Sequence, residues 1–214
     1  MKLLLVSATL DEIRPLVEFF TFKEGLNLKN SHEITVLVGG VGMVSMAFSL
    51  GKALGQHSYD LALNAGIAGS FNRSLKPGDV VAVSSDSFSE LGAEDGPAFL
   101  SIEQMGFGKS TFTPVPSILT NKLAGDLPTV SAITVNTVHG NESSILQTVN
   151  KLNPDIETME GASFFYACSQ ENIPSIQVRA ISNYVEPRNR ASWNIPLAVN
   201  NLNLTLVEIL KKIL

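Results

Sequence analysis

The sequence predicts an α/β fold with a largely parallel central sheet. Short apolar runs recur along the chain, stretches with apolar residues at helical spacing follow them, and no repeat, low-complexity tract or linker interrupts the alternation. Composition agrees. Of 214 residues, 44% are apolar and only 16% are charged, against about 25% charged in an average globular protein. So much apolar surface excludes intrinsic disorder, and the length fits one domain, residues 1–214. The low charge content also leads us to expect a homo-oligomer that hides part of its surface.

The elements follow in order. Leu3 to Val6 is a continuous apolar run, as a buried parallel strand requires. Asp11 to Phe20 carries Ile13, Leu16, Val17 and Phe20 at helical spacing. Ile34 to Val38 is a second strand, ending in Gly39-Gly40-Val41-Gly42. The small and apolar residues from Met43 to Leu54 make a buried helix. Leu61 to Leu63 is a third strand, running into a glycine-rich loop, Asn64 to Ser70. Pro77-Gly78 is a turn before a strand from Asp79 to Val83. Residues 86–116 read as a long loop or lid with one short helix. Thr129 to Val138 is β-branched and strand-like, Ser143 to Leu152 helical, Asp155 to Met159 a short strand, and Gly161 to Gln170 an apolar helix. Ser175 to Ser182 is a strand, and Pro196 to Leu214 a long helix.

Several function classes drop out. A net charge of −5 lacks the basic footprint of a nucleic-acid binder. The single cysteine, Cys168, permits no internal disulfide and no cysteine-based zinc site. His32, His57 and His139 have no metal-ligand spacing, so neither metal nor cofactor is expected. No run of about 18 apolar residues offers a membrane span. The apolar start is short and Asp11, Glu12 and Arg14 follow it, unlike a signal peptide. A cytoplasmic protein is expected.

In sheets of this kind ligands bind beyond the carboxyl ends of strands. Gly40-Val41-Gly42 has the look of a dinucleotide fingerprint, with Asp60 about 20 residues on. Its third position is Ser45, however, Asp60 opens a strand rather than closing one, and the motif sits on the second strand; a tight turn accounts for the same glycines. Asn64-Ala65-Gly66-Ile67-Ala68-Gly69 exposes backbone groups suited to a flat heterocycle, a sugar or a phosphate, or forms a plain turn. Glu12 reads as a solvated helical glutamate, except that its turn lies at a strand's carboxyl end. Glu160, between an apolar strand and an apolar helix, is costly to bury unpaired, and its two oxygens suit vicinal hydroxyls. Asn183, after Arg179-Ala180-Ile181-Ser182, offers both a donor and an acceptor to a purine edge. Arg179, inside an apolar strand, needs an acidic partner. Trp193, Phe99, Phe107 and Phe112 either stack on a base or pack a lid.

Taken in order, Ala8 to Glu12, Gly40-Val41-Gly42, Asn64 to Gly69, Met159-Glu160-Gly161-Ala162 and Arg179 to Asn183 resemble the purine nucleoside phosphorylase and nucleosidase superfamily, over essentially the whole chain. The resemblance implies a three-layer αβα fold around a mixed, mostly parallel twisted sheet. Among its branches the sequence is most similar to the nucleosidases that hydrolyse methylthioadenosine, and within them to the futalosine hydrolases of menaquinone biosynthesis; Glu90 to Gly96 resembles a loop of that group. It implies hydrolysis of the N-ribosidic bond of a purine nucleoside by water. Glu12 would then activate the water, Glu160 hold the ribose hydroxyls, and Asn183 assist departure of the base. Ala8, Ile67, Ala68, Gly69, His139, Met159, Arg179 and Ser182 join them as substrate-binding candidates.

One departure is informative. The methylthioadenosine enzymes carry aspartate where this chain has Asn183. An amide hydrogen-bonds N7 and a 6-oxo group together, so the preference shifts toward hypoxanthine-type bases. No Phe stands near Val138-His139, where the stacking aromatic of those enzymes falls; His139 or a lid residue takes that place. A phosphorylase would want arginines near the glycine loops, and only Arg14 and Arg73 are near. A non-catalytic nucleoside-binding module is the alternative of another class, and Glu12 is what discriminates against it.

Overall fold

The computed structural model describes residues 1–96 and 98–214. In chain order its elements are β1 (Lys2–Ser7), α1 (Leu10–Phe20), β2 (Gly25–Lys29), β3 (His32–Val38), α2 (Met43–Gln56), β4 (Leu61–Ser70), β5 (Val80–Phe88), β6 (Gly92–Asp95), β7 (Ala98–Ser101), β8 (Thr111–Phe112), α3 (Ile118–Ala124), β9 (Thr129–Thr134), α4 (Glu142–Leu152), β10 (Ile156–Thr158), α5 (Gly161–Gln170), β11 (Ser175–Tyr184) and α6 (Ile195–Lys211).

Period-two alternation explains the layering. In β1, Leu3 and Leu5 face Ile13 and Leu16 of α1 and Leu202 and Leu206 of α6. Leu4 and Val6 point the other way, toward Met46 and Leu50 of α2 and Phe164 and Phe165 of α5. Helices thus cover both faces of the sheet.

The strand order is β10-β9-β5-β11-β4-β1-β3-β2, with β8 on β5, while β6 and β7 form a separate hairpin. The sheet is mixed, with parallel pairs in the majority. The pairs β1–β3, β1–β4, β4–β11, β5–β9 and β9–β10 are parallel, but β2–β3, β5–β11, β4–β10 and β5–β8 are antiparallel. Two tight reversals contribute. Asn30 and Ser31 adopt positive φ between β2 and β3, and Gly78 (φ 96°) turns the chain into β5.

Other elements also differ from expectation. Asn64 to Ser70 is no loop but the second half of β4, laddered to β11. Its glycines serve close packing rather than a turn: an added Cβ at Gly66 would overlap the Arg179 guanidinium and lie 2.9 Å from Glu12 Oε1. Residues 86–116 hold the end of β5, the hairpin and β8, and the short helix comes later, as α3. β9 ends at Thr134 rather than Val138.

Because β10 pairs with β4 as well as β9, the strands β4, β11, β5, β9 and β10 close into a ring. Asp155 ties the closure. Its Oδ2 accepts from the Ser131 N–H and hydroxyl at 2.8 and 2.9 Å, and its Oδ1 accepts from Asn72 Nδ2 at 2.9 Å. Its carbonyl accepts from the Phe71 and Asn72 N–H groups. Hydrogen bonds to a charged group contribute about 1.5–3 kcal/mol each before relaxation. Asp155→Ala is therefore expected to lower the unfolding free energy by roughly 2–3 kcal/mol in urea titration; a change within about 0.5 kcal/mol, typical of an indifferent surface position, would show that another contact holds the ring.

Candidate active site

A cavity of about 460 Å³ opens beyond the carboxyl ends of β1, β4, β10 and β11. Ala8, Glu12, Ile67, Ala68, Gly69, His139, Met159, Glu160, Ser182 and Asn183 line it. A larger groove of about 700 Å³ lies between α2, α5 and the 88–112 segment, but Lys109 is its single charged lining residue. The titratable groups gather in the smaller cavity, which is therefore the candidate site.

Glu12 stands in the first turn of α1 and reaches back over it. Its Oε2 accepts from Ser7 Oγ, the Thr9 N–H and Thr9 Oγ1 at 3.0–3.1 Å, and its Oε1 accepts from the Ile67 N–H at 3.1 Å. The buried amide of Asn203 on α6 locks this turn from behind. It accepts from the Leu16 N–H at 2.9 Å and donates to the Glu12 carbonyl at 2.8 Å, bridging the two groups that close a helical turn.

Glu160 sits at the N-terminus of α5 and is buried. Its Oε1 accepts from the Gly42 N–H at 2.9 Å. Gly40 (φ 85°) and Gly42 (φ 93°) adopt a left-handed geometry that other residues reach only at a cost, and this aims the amide. The Gly40-Val41-Gly42 turn therefore cradles a carboxylate of this chain. Burial pushes the Glu160 carboxyl up, while the Arg179 charge and the Gly42 N–H pull it down.

Arg179 departs from expectation, since it is buried and does not line the cavity. It lies beneath β4, because a central-strand side chain this long has nowhere else to go once Gly66 leaves space. It donates from Nε to Gln177 Oε1 at 2.9 Å and from Nη2 to Asn64 Oδ1. Its charge acts on Glu160, Glu12 and Asp86. Asp86 on β5 accepts from Thr134 Oγ1 at 2.8 Å and from Gln177 Nε2 at 3.2 Å, and burial still pushes its carboxyl up to about 6.

Asn183 owes its aim to a bulge. The register of β11 on β4 slips between Ile181 and Asn183, so Ser182 is an extra residue and Asn183 faces Gly69. The Ser182 hydroxyl reaches Ala68 O at 3.1 Å and Asn183 Oδ1 at 2.7 Å, while Asn183 Nδ2 donates to Tyr184 O at 3.0 Å. These contacts fix which way the amide points and leave one Nδ2 proton free.

Among the described residues no group of three or more His, Cys, Asp or Glu is arranged to hold a metal ion, and no helix is long and apolar enough to cross a membrane.

A family model described as the phosphorylase superfamily matches residues 3–211. The chain belongs to the phosphorylase superfamily. This superfamily member is 32% identical over 168 residues to a futalosine hydrolase of Streptomyces coelicolor, covering 75% of this chain and 71% of that protein. It is 26% identical over 206 residues to a 5′-methylthioadenosine/S-adenosylhomocysteine nucleosidase of Colwellia psychrerythraea, covering 87% and 82%. Its fold matches the native structure of a futalosine hydrolase of Helicobacter pylori with a TM-score of 0.84 at 17% identity, over 99% of this chain and 98% of that one.

The superfamily motifs do not account for every group here. Glu157, Arg188 and Trp193 also line the cavity. Glu157 was missed because it falls inside a short strand; a carboxylate between Ile156 and Thr158 was its only signal. Asn203 and Asp86 act from behind the lining, and no sequence spacing connects them to it.

The buried Asp86 gives stability a pH dependence. With its pKa raised from 3.8 to about 6, the folded protein binds a proton that the unfolded chain releases, so this group's contribution falls as pH rises through about 4 to 6. Asp86→Asn lacks this loss. Its unfolding free energy relative to wild type should improve by up to about 3 kcal/mol between pH 4 and pH 7, and a flat difference across that window would contradict the assignment.

Proposed function

We propose that this protein is a nucleosidase that hydrolyses the N-ribosidic bond of a 6-oxopurine nucleoside, with futalosine as its substrate and hypoxanthine as the released base. The observation that carries this reading is the convergence of Glu12, Glu160 and Asn183 on one cavity. The named futalosine hydrolases among the relatives supply the substrate class. The reading brings with it a cytoplasmic step of menaquinone biosynthesis, one αβα catalytic unit spanning 1–214, and no metal or redox cofactor.

The bond breaks with positive charge developing on the ribose and electron density moving onto the purine. Glu160 binds the 2′ and 3′ hydroxyls and favours that charge. Glu12, fixed on both oxygens, orients a water and takes its proton, a general-base contribution of typically about 10²–10⁴-fold. Asn183, held by Ser182, donates to the departing base, while Ala8, Met159 and the β4 segment Ile67-Ala68-Gly69 frame sugar and purine. Arg179 acts at one remove, balancing the charge of the two glutamates.

A methylthioadenosine-type nucleosidase is the second reading, favoured by the Colwellia relative. Asn183 argues against it, since an adenine 6-amino group is a donor where the oxo group is an acceptor. A phosphorylase would need a cation for its dianion; Arg179 is withdrawn behind β4 and Arg188 is the one arginine in the cavity lining, so the assay with and without phosphate separates the two.

Glu12→Gln should lower kcat by at least about 10²-fold while ligand binding, read by calorimetry, is retained; near wild-type turnover would remove Glu12 as the base. Futalosine, inosine and methylthioadenosine, each assayed with and without phosphate, should give phosphate-independent hypoxanthine release from futalosine. Adenine release at an equal rate would defeat the Asn183 argument, and strict phosphate dependence the hydrolase reading.

The same reading takes the protein as a homo-oligomer. Val44 and Phe48 on α2 and Phe107 beside it are each at least 75% exposed, around the 700 Å³ apolar groove. Light scattering should give a mass above 23.0 kDa, and a monomer would refute this part.

A further inference from the structure

Gly69 has a neighbour on each side in the sheet. Asn183 of β11 pairs with it in parallel register, and Glu157 of β10 pairs with it in antiparallel register. Side chains of directly paired residues share one face. An added Cβ at Gly69 would lie 3.0 Å from Val185 Cγ2, 3.3 Å from Asn183 Nδ2 and 3.4 Å from Glu157 Cγ. Glycine thus leaves a bare strip of strand with an amide on one flank and a carboxylate on the other, and all three residues line the cavity.

The carboxylate is firmly held. Glu157 is only 4% exposed. His139 Nδ1 lies 2.6 Å from its Oε2, and the His139 N–H donates to its Oε1 at 3.1 Å. The far ring nitrogen, Nε2, lies 2.8 Å from Thr148 Oγ1 on α4, and the ring packs edge-on against Phe71. The Glu157 hydrogen bond raises the imidazole pKa, against the opposing effect of burial. A carboxylate has about four acceptor positions, and His139 uses only part of them. A buried carboxylate that keeps acceptor capacity facing a cavity calls for a donor from the ligand.

A 6-oxopurine presents such a donor. Along one edge it shows the N7 acceptor, the O6 acceptor and the N1–H donor. Asn183 Nδ2, a donor, suits the first two. We propose that Glu157, positioned by His139, accepts the N1–H and is a specificity-determining residue of this site. Adenine has an unprotonated N1 that would set a lone pair against the carboxylate, and leaving a buried polar group unpaired is what lets a site reject an analogue strongly. In this arrangement His139 positions Glu157 instead of stacking on the base. The inference rests on the 6-oxopurine reading above and sharpens it.

Free bases separate the two. Binding of hypoxanthine, 1-methylhypoxanthine and adenine to the intact protein is measured by calorimetry. Wild type should bind hypoxanthine at least about 10-fold more tightly than either of the others, and Glu157→Gln, whose amide can donate to an unprotonated N1, should lose most of the preference over adenine. If wild type binds hypoxanthine and 1-methylhypoxanthine alike, the role of Glu157 is overturned while the purine reading stands. If no base binds, the purine reading falls and this inference with it. The base series on wild type needs no variant, so a Glu157→Gln protein that fails to fold leaves the decision intact. A purely structural Glu157–His139 pair would change thermal stability on substitution and leave the ratio of hypoxanthine to adenine binding unmoved.

Discussion

One buried guanidinium organises the site. Arg179 rises from the middle of β11, and its charge acts on carboxylates from three other segments: Glu12 on α1, Asp86 on β5, and Glu160 between β10 and α5. A buried cation is costly without anions, and buried carboxylates are costly without a cation. Its hydrogen bonds go to the neutral Gln177 and Asn64, and its charge reaches the carboxylates through space. Two glycines make room for this. A Cβ on Gly66 would overlap Arg179, and a Cβ on Gly161 would overlap Asp86 and Gln177. The charge that steadies the site thus lies one layer below the surface a ligand touches.

Much of this was legible in the sequence where a local signal existed. Apolar runs and helical spacing mark β1, α1, α2, α5 and α6, because periodicity follows from which face is buried. Strand direction has no such signal, so the antiparallel β5 and β10 could not be read. The Asn64 to Ser70 segment looked like a loop because glycine is usually a turn former; here it is forced by what packs against a strand. The same holds for the site. Glu12, Glu160 and Asn183 sit at strand ends, where ligands gather in α/β sheets. Arg179 was recognisable as needing acid, but its depth was not. The partnership of Glu157 with His139 depends on the pairing of β10 with β9, which brings together residues 18 positions apart, and no spacing rule contains it.

The glycine turn at 40–42 illustrates how one local geometry serves unrelated ends. Positive φ at Gly40 and Gly42 turns an N–H outward, and in dinucleotide-binding folds such amides meet a phosphate. Here the anion is the chain's own Glu160. The carboxylate therefore arrives at the cavity already oriented by a helix that begins at the next residue, Met43.

The ring of five strands has a consequence for how such a site changes over evolutionary time. The residues that flank the bare strip at Gly69 are side chains set on a closed ladder, and exchanging them breaks no backbone pairing. If the base is read there as proposed, its recognition is modular with respect to folding: donor and acceptor can be exchanged at 157 or 183 while the ring that presents them stays paired. Arg179, Asp86 and Glu160 are buried, and a substitution among them leaves a charge without its counter-charge.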